Sequence, residues 1–251
     1  MNKNTLLVAC FKKDDQERAA SNEQRETSNQ RRVTSNETSN FEINMACPIF
    51  KADPPGIEKA ARIILQGGVV AFPTETFYGL AADALNERAL QKIFQIKRRK
   101  ENKPLLLLVA DRSWVPGLVR KISPLAERLM EKFWPGPLTL VFEASPHLPA
   151  ILTANTGKVG LRISTHSVAQ SLVQAVGRAI TGTSANLSGQ PSVSAAEEVF
   201  QALGSSKPDA ILDGGKTAGG LGSTVVDVSG ISTQVIREGV ISRRDLELIR
   251  K

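Results

Sequence analysis

The sequence predicts an α/β domain built on a mixed, twisted sheet with helices on its faces. Apolar runs of strand length are interspersed with helical periodicities without strict alternation, which favours a mixed sheet over a doubly wound one. Neither GxGxxG nor GxxxxGK[ST] occurs, so the common phosphate cradles of nucleotide folds are missing. With 251 residues, 41% of them hydrophobic, the chain has ample material for a core.

Residues 1–44 are polar and repetitive, with Thr-Ser-Asn at 27–29, 34–36 and 38–40, and are expected to be a disordered extension. Met45 is a plausible second start, and residues 45–251 are expected to form a single domain. Asp53 caps a helix with Pro54 in its first turn; Ile57, Ala60, Ala61, Ile64 and Leu65 fall at helical spacing, and Gly67 stops it. Val69–Phe72 reads as a buried strand that runs into the loop PTETFYG, and Asn86 caps a helix that ends near Gln95. Strands are expected at 105–109, 138–142, 159–163, 210–212, 223–228 and 233–238, and helices at 123–133, 166–176, 194–203 and 242–249.

The formal charge of +7 belongs to residues 45–251, because residues 1–44 balance seven basic against seven acidic side chains. A basic folded part suits an anionic ligand such as a nucleotide or RNA, although a solvated surface has the same composition. Five cations, Lys97, Arg98, Arg99, Lys100 and Lys103, fall within seven residues, more than a helix C-terminus needs for capping. Two cysteines and two histidines in no metal-ligand spacing argue against a disulfide framework or a His-built metal site. No apolar run has the length of a membrane helix, and Thr5–Phe11 is too short for a signal core, so a cytoplasmic protein is expected.

Five polar or glycine-rich segments flank predicted strands: PTETFYGL (73–80), KRRKENKP (97–104), WPGPLT (134–139), TSANLSG (183–189) and GSTVVD (222–227). Singly, each reads as a turn or a helix cap. In this order, and with Leu-Arg at 161–162 and Ile-Arg-x-Gly at 236–239, they resemble the YrdC family of threonylcarbamoyl-adenylate synthases, from about Ile57 to Ile241. The resemblance implies an open sheet with a concave basic face, and an enzyme that joins L-threonine, bicarbonate and ATP for threonylcarbamoyladenosine modification of tRNA. It further implies magnesium with the ATP, a partner transferase that uses the product, and possible contact with tRNA. Lys97 and Arg99 match the family's catalytic Lys-x-Arg. Thr76, Arg162, Ser184 and Ser223 match its threonine-binding positions; Asn186, Ser194 and Arg237, with Arg99, match its ATP-binding ones. Lys103 and Lys158 stand near the nucleotide by position.

Four positions depart from the family pattern: Lys100 replaces a proline, Lys103 an asparagine, Leu108 a histidine and Ser164 a proline. Longer relatives carry a second domain; this chain ends about ten residues past Gly239, and the single-domain form is expected. Tyr78 and Trp134 are expected to pack or to border the site rather than stack on bases. The rival reading is a non-catalytic module that binds double-stranded RNA or tRNA through the same basic face.

Overall fold

The predicted cap at Asp53 is present in the computed structural model, which describes residues 47–100, 103–230 and 233–250. Helix α1 (Pro54–Leu65) starts where Asp53 Oδ1 accepts the Gly56 amide at 2.9 Å, and ends before Gly67, whose φ of 87° suits glycine. Its Ala60, Ala61 and Ile64 are buried.

After α1 the chain forms β2 (Val70–Pro73) and returns antiparallel as β3 (Tyr78–Ala81), following β1 (Ile49–Lys51). The segment expected to be a loop at 73–80 is therefore a hairpin. Thr74 closes it, its hydroxyl donating to Phe77 O at 2.7 Å while its amide reaches the same carbonyl at 3.1 Å.

Helix α2 (Glu87–Lys97) begins where Asn86 Oδ1 accepts the Ala89 amide at 3.1 Å. Removing this cap by Asn86→Ala should cost about 1 kcal/mol in a urea unfolding titration. The helix runs two residues beyond its expected end, and Arg98 caps it in the left-handed region at φ 47°. The basic cluster thus begins inside the last turn of the helix, at Lys97.

The remaining strands are β4 (Leu106–Leu108), β5 (Leu138–Glu143), β6 (Lys158–Arg162), β7 (Ile180–Thr181), β8 (Thr183–Ser184), β9 (Ala210–Asp213), β10 (Thr224–Asp227) and β11 (Gln234–Arg237). They make two mixed sheets, ordered β1-β9-β2-β3-β8 and β11-β10-β5-β6-β4-β7. Gly182 is where the chain passes from one to the other. It separates β7 from β8, its amide donates to Leu106 O at 2.9 Å, and a Cβ there would lie 2.9 Å from Leu108 Cγ. The mixed character expected from the sequence holds, and the passage at Gly182 divides it into two hydrogen-bonded units.

A 3-10 turn at Arg112–Trp114 and α3 (Val115–Leu118) precede α4 (Pro124–Phe133); α5 (Ser167–Val176), α6 (Ala196–Leu203) and α7 (Arg243–Arg250) follow. One core packs α1 and α5 on β2 and β9 through Ile64, Phe72, Leu172 and Val173. Each large side chain buried this way contributes about 1.5–3 kcal/mol. A second core joins α2 and α4 to the central strands of the other sheet through Leu90, Ile93, Met130, Leu140 and Leu161. The functional loops emerge from this rigid base.

Candidate active site

Strand alternation builds the floor of a cleft of about 630 Å³. Lys158, Gly160 and Arg162 point into it from β6, Thr139 and Val141 from β5, and Val225 and Asp227 from β10, with Ser223 just before that strand. Gly160 keeps the middle open; a Cβ there would already lie 3.2 Å from Thr139 Cγ2. The β2–β3 hairpin adds Thr74, Thr76 and Gly79, and the Gly182–Ser184 crossing adds its own three residues.

One end of the floor is built around Arg162, which is only 3% exposed. Its Nη1 lies 3.7 Å from Glu75 Oε1, and the other Glu75 oxygen accepts the Ser164 hydroxyl. Burial pushes the guanidinium below its usual value; Glu75 opposes that shift and the Arg237 charge adds to it. Arg237 donates from Nη2 to Ser223 O at 2.8 Å and Ser223 Oγ at 3.2 Å, and Ser223 Oγ lies 3.0 Å from Thr139 Oγ1. Two guanidiniums and two hydroxyls thus converge.

The other end carries Lys158, paired with Asp227 at 2.7 Å, and the segment that follows α2. Arg99 lines the cleft and donates to Pro104 O at 2.8 Å and Lys103 O at 3.3 Å. Burial lowers its pKa. Lys97, 1% exposed, sends its ammonium to the carbonyls of Ser184 and Asn186, the latter at 2.8 Å. Burial, and after it the Arg99 charge, brings this lysine down from 10.5 to about 7.

Residues 62–239 match the Sua5/YciO/YrdC family model, described as "Telomere recombination". The chain belongs to this family. It is 38% identical to the threonylcarbamoyl-AMP synthase of Pyrococcus abyssi over 193 residues, covering 77% of this chain and 56% of that one. The synthase of Bacillus subtilis is 38% identical over 196 residues, covering 78% and 56%. The chain therefore spans little more than half the length of these two relatives. Among solved structures, P. abyssi Sua5 complexed with L-threonine superposes with a TM-score of 0.77 at 35% identity, covering 82% of this chain and 61% of that one. E. coli YciO superposes with a TM-score of 0.73 at 25% identity, covering 80% and 100%.

Of the positions carried over from the family, Thr76, Arg99, Lys158, Arg162, Ser184, Ser223 and Arg237 line the cleft. Lys97 and Asn186 stand behind Ser184, joined through carbonyls, and Asn186 Oδ1 is buried without a hydrogen-bond partner. Ser194 lies farther out; its carbonyl accepts the Thr217 amide at 2.8 Å, and Thr217 Oγ1 donates to Thr76 O at 2.9 Å. Its amide donates to Glu198 Oε2 at 2.9 Å, a contact within the start of α6. The Lys103 side chain is exposed. Arg237, grouped by resemblance with the ATP residues, stands beside Ser223 and Arg162. Leu108 is fully buried and does not face the cleft.

Residue-level reading of the sequence missed Thr74, Thr139 and Asp227, all inside the quoted motifs; two-residue alternation along β5 and β10 was the signal for Thr139 and Asp227, whereas Thr74 sits in the hairpin turn. Tyr78 and Trp134 pack as expected: the Tyr78 hydroxyl donates to Gly215 O at 2.8 Å, and Trp134 Nε1 to Leu138 O at 2.7 Å. The expectations for residues 1–44 and Met45 lie outside the described residues. Among those described, no helix is long and apolar enough to cross a membrane, and no three His, Cys, Asp or Glu side chains group for a metal.

Proposed function

We propose that this protein makes threonylcarbamoyl-adenylate and pyrophosphate from L-threonine, bicarbonate and ATP, and that a partner transferase uses the product to modify tRNA. The observation that carries this reading is one cleft with two cationic ends, Arg162 with Arg237 at one and Arg99 beside the Lys158–Asp227 pair at the other; Arg162 and Lys158 are four residues apart on one strand and so about 13 Å from each other. A single cleft can then hold an amino-acid carboxylate and a polyphosphate together. The threonine names of the relatives and the threonine complex of P. abyssi Sua5 support the choice of amino acid.

The reaction brings anions together. The threonine amine attacks the bicarbonate carbon to give a carbamate with loss of water, and the carbamate oxygen attacks the α-phosphorus and expels pyrophosphate. The protein's part is to align and neutralise these groups. Arg162, with Ser223 and Thr76 nearby, takes the carboxylate. Arg99 and Lys158 take the phosphates, arginine as a fork and lysine as a point charge. Arg237 faces the junction between the two substrates. Magnesium enters with ATP, held chiefly by the phosphates, because the two carboxylates lining the cleft are already engaged: Asp227 by Lys158 and Glu238 by Arg243 at 3.4 Å.

A nucleic-acid-binding face would present its cations outward, whereas Arg162 and Lys97 are 3% and 1% exposed. The deciding experiment is pyrophosphate release from ATP with threonine and bicarbonate omitted in turn. Release that needs both supports the synthase; release indifferent to either refutes it. Within this reading, Arg99→Ala should raise the KM for ATP by roughly tenfold or more, since a charge-assisted contact is worth about 1.5–3 kcal/mol. Arg98→Ala, at an exposed cap, should change it by less than about twofold; equal effects would point to a diffuse polyanion surface.

A further inference from the structure

At the Arg162 end of the cleft the charges do not simply add up in favour of anions. Arg162 and Arg237 contribute two positive charges, and Glu75, which stands against Arg162 but outside the cleft lining, contributes one negative. Glu75 is held on one oxygen by the Ser164 hydroxyl. His166, also close to Glu75, is pushed by burial below its usual value, a shift that Glu75 opposes. The balance is one net positive charge.

The pairing is electrostatic rather than hydrogen-bonded. Glu75 Oε1 and Arg162 Nε are both buried without a hydrogen-bond partner, and the contact between the two side chains is 3.7 Å. The Arg162 guanidinium therefore has a counter-charge beside it while its donors stay uncommitted. This is unlike a bidentate salt bridge, which would have consumed them.

We infer that Glu75 is a specificity-determining residue: by cancelling one of the two guanidinium charges, it matches this end of the cleft to a singly charged carboxylate and sets it against doubly charged oxyanions. The inference rests on the proposal that Arg162 receives the threonine carboxylate. Selection is needed because the polyphosphate of ATP lies in the same cleft, within about 13 Å, and would otherwise compete for the two arginines. A second negative charge on a ligand about 7 Å from the Glu75 carboxylate is disfavoured by more than tenfold at the dielectric of a protein surface.

The test uses the full chain at fixed ionic strength, with sulfate as the dianion and formate as the monoanion, each titrated by calorimetry and in competition with L-threonine. In wild type, sulfate should displace L-threonine less than about tenfold more strongly than formate does, a readout confined to the Arg162 end. Glu75→Gln keeps the shape and an acceptor for Ser164 but removes the charge; sulfate should gain at least tenfold and formate less than about threefold. Ser164→Ala, which keeps the charge, should behave as wild type. The sulfate gain should vanish in Glu75→Gln/Arg162→Ala, which localises it to this end.

A gain equal for both anions, a gain that survives loss of Arg162, or a tenfold preference for sulfate over formate in displacing L-threonine from wild type would each overturn the inference. The last comparison needs no variant, so it decides even if Glu75→Gln fails to fold. A wild type that selects between the anions as expected but binds no threonine would overturn the synthase reading and leave the charge selection standing.

Discussion

Arg162→Ala is expected to weaken L-threonine binding roughly 10- to 150-fold while changing ATP affinity less than about threefold. A charged hydrogen bond to a carboxylate is worth about 1.5–3 kcal/mol, and each 1.4 kcal/mol is a factor of ten. The hydroxyls of Thr76, Ser184 and Ser223 remain in the cleft and can still meet the amino acid's other polar atoms. Turnover should recover in part at high threonine to the extent that the lost contact served substrate and transition state alike. Orientation of the amine would not recover.

The variant also strands Glu75, whose side chain is 13% exposed and would keep only Ser164. Breaking a buried ion pair costs about 3–5 kcal/mol, and the 3.7 Å separation places this one at the low end. Calorimetry with each substrate and a urea titration separate the two effects. Threonine affinity untouched while ATP affinity collapses would move Arg162 to the phosphate end and undo the division of the cleft. Since Arg237 touches Ser223 on the same side, its loss should impair both substrates rather than ATP alone.

Legibility in the sequence followed range and length. Asp53 and Asn86 act on amides three residues away, so a local pattern was enough to place both helix starts. Strands β5, β6 and β10, of 6, 5 and 4 residues, are apolar runs long enough to be read. By contrast, β7 and β8 are two residues each, and only their partners across the fold, β4 and β3, make them strands. The hairpin at 73–80 looked like a loop because Pro73 and the Thr-Glu-Thr that follows carry turn chemistry; Thr74 supplies that turn, but the strand resumes at Tyr78.

The site divides in the same way. The family's motif residues were found, because each motif is contiguous. Their relations were hidden: Ser164 holds Glu75 from 89 residues away, and Lys97 holds the carbonyls of Ser184 and Asn186 from 87 and 89. Only folding brings such pairs together, so Lys97, matched by its motif to a catalytic position, acts first on the backbone of a cleft-lining loop.

Lys97→Met is expected to reduce turnover by about a hundredfold or more while leaving stability near pH 7 within roughly 2 kcal/mol. Two carbonyls lose their donor, at about 1–3 kcal/mol for each buried group left unsatisfied, and relief of a buried ammonium offsets much of that. The crossing that presents Ser184 to the cleft would nonetheless lose its anchor, and a shift of about 1 Å at a reacting centre suffices for a hundredfold loss. The pH dependence gives the sharper check. The folded value of about 7 lies below the usual 10.5, so between these limits the unfolded chain binds more protons than the folded one. Wild-type stability from this group therefore rises with pH across that window, by at most about 1.4 kcal/mol per unit, and the cost of the buried charge is fully present below it. Urea titrations at pH 7, 8 and 9 should show the gap between wild type and Lys97→Met moving in favour of wild type; other titrating groups cancel in the difference. Parallel curves would refute the depressed value. Because nearby phosphates favour the charged lysine, ATP binding at pH 8 should take up protons, seen as a dependence of the binding heat on the buffer's ionisation enthalpy, and Lys97→Met should abolish that uptake.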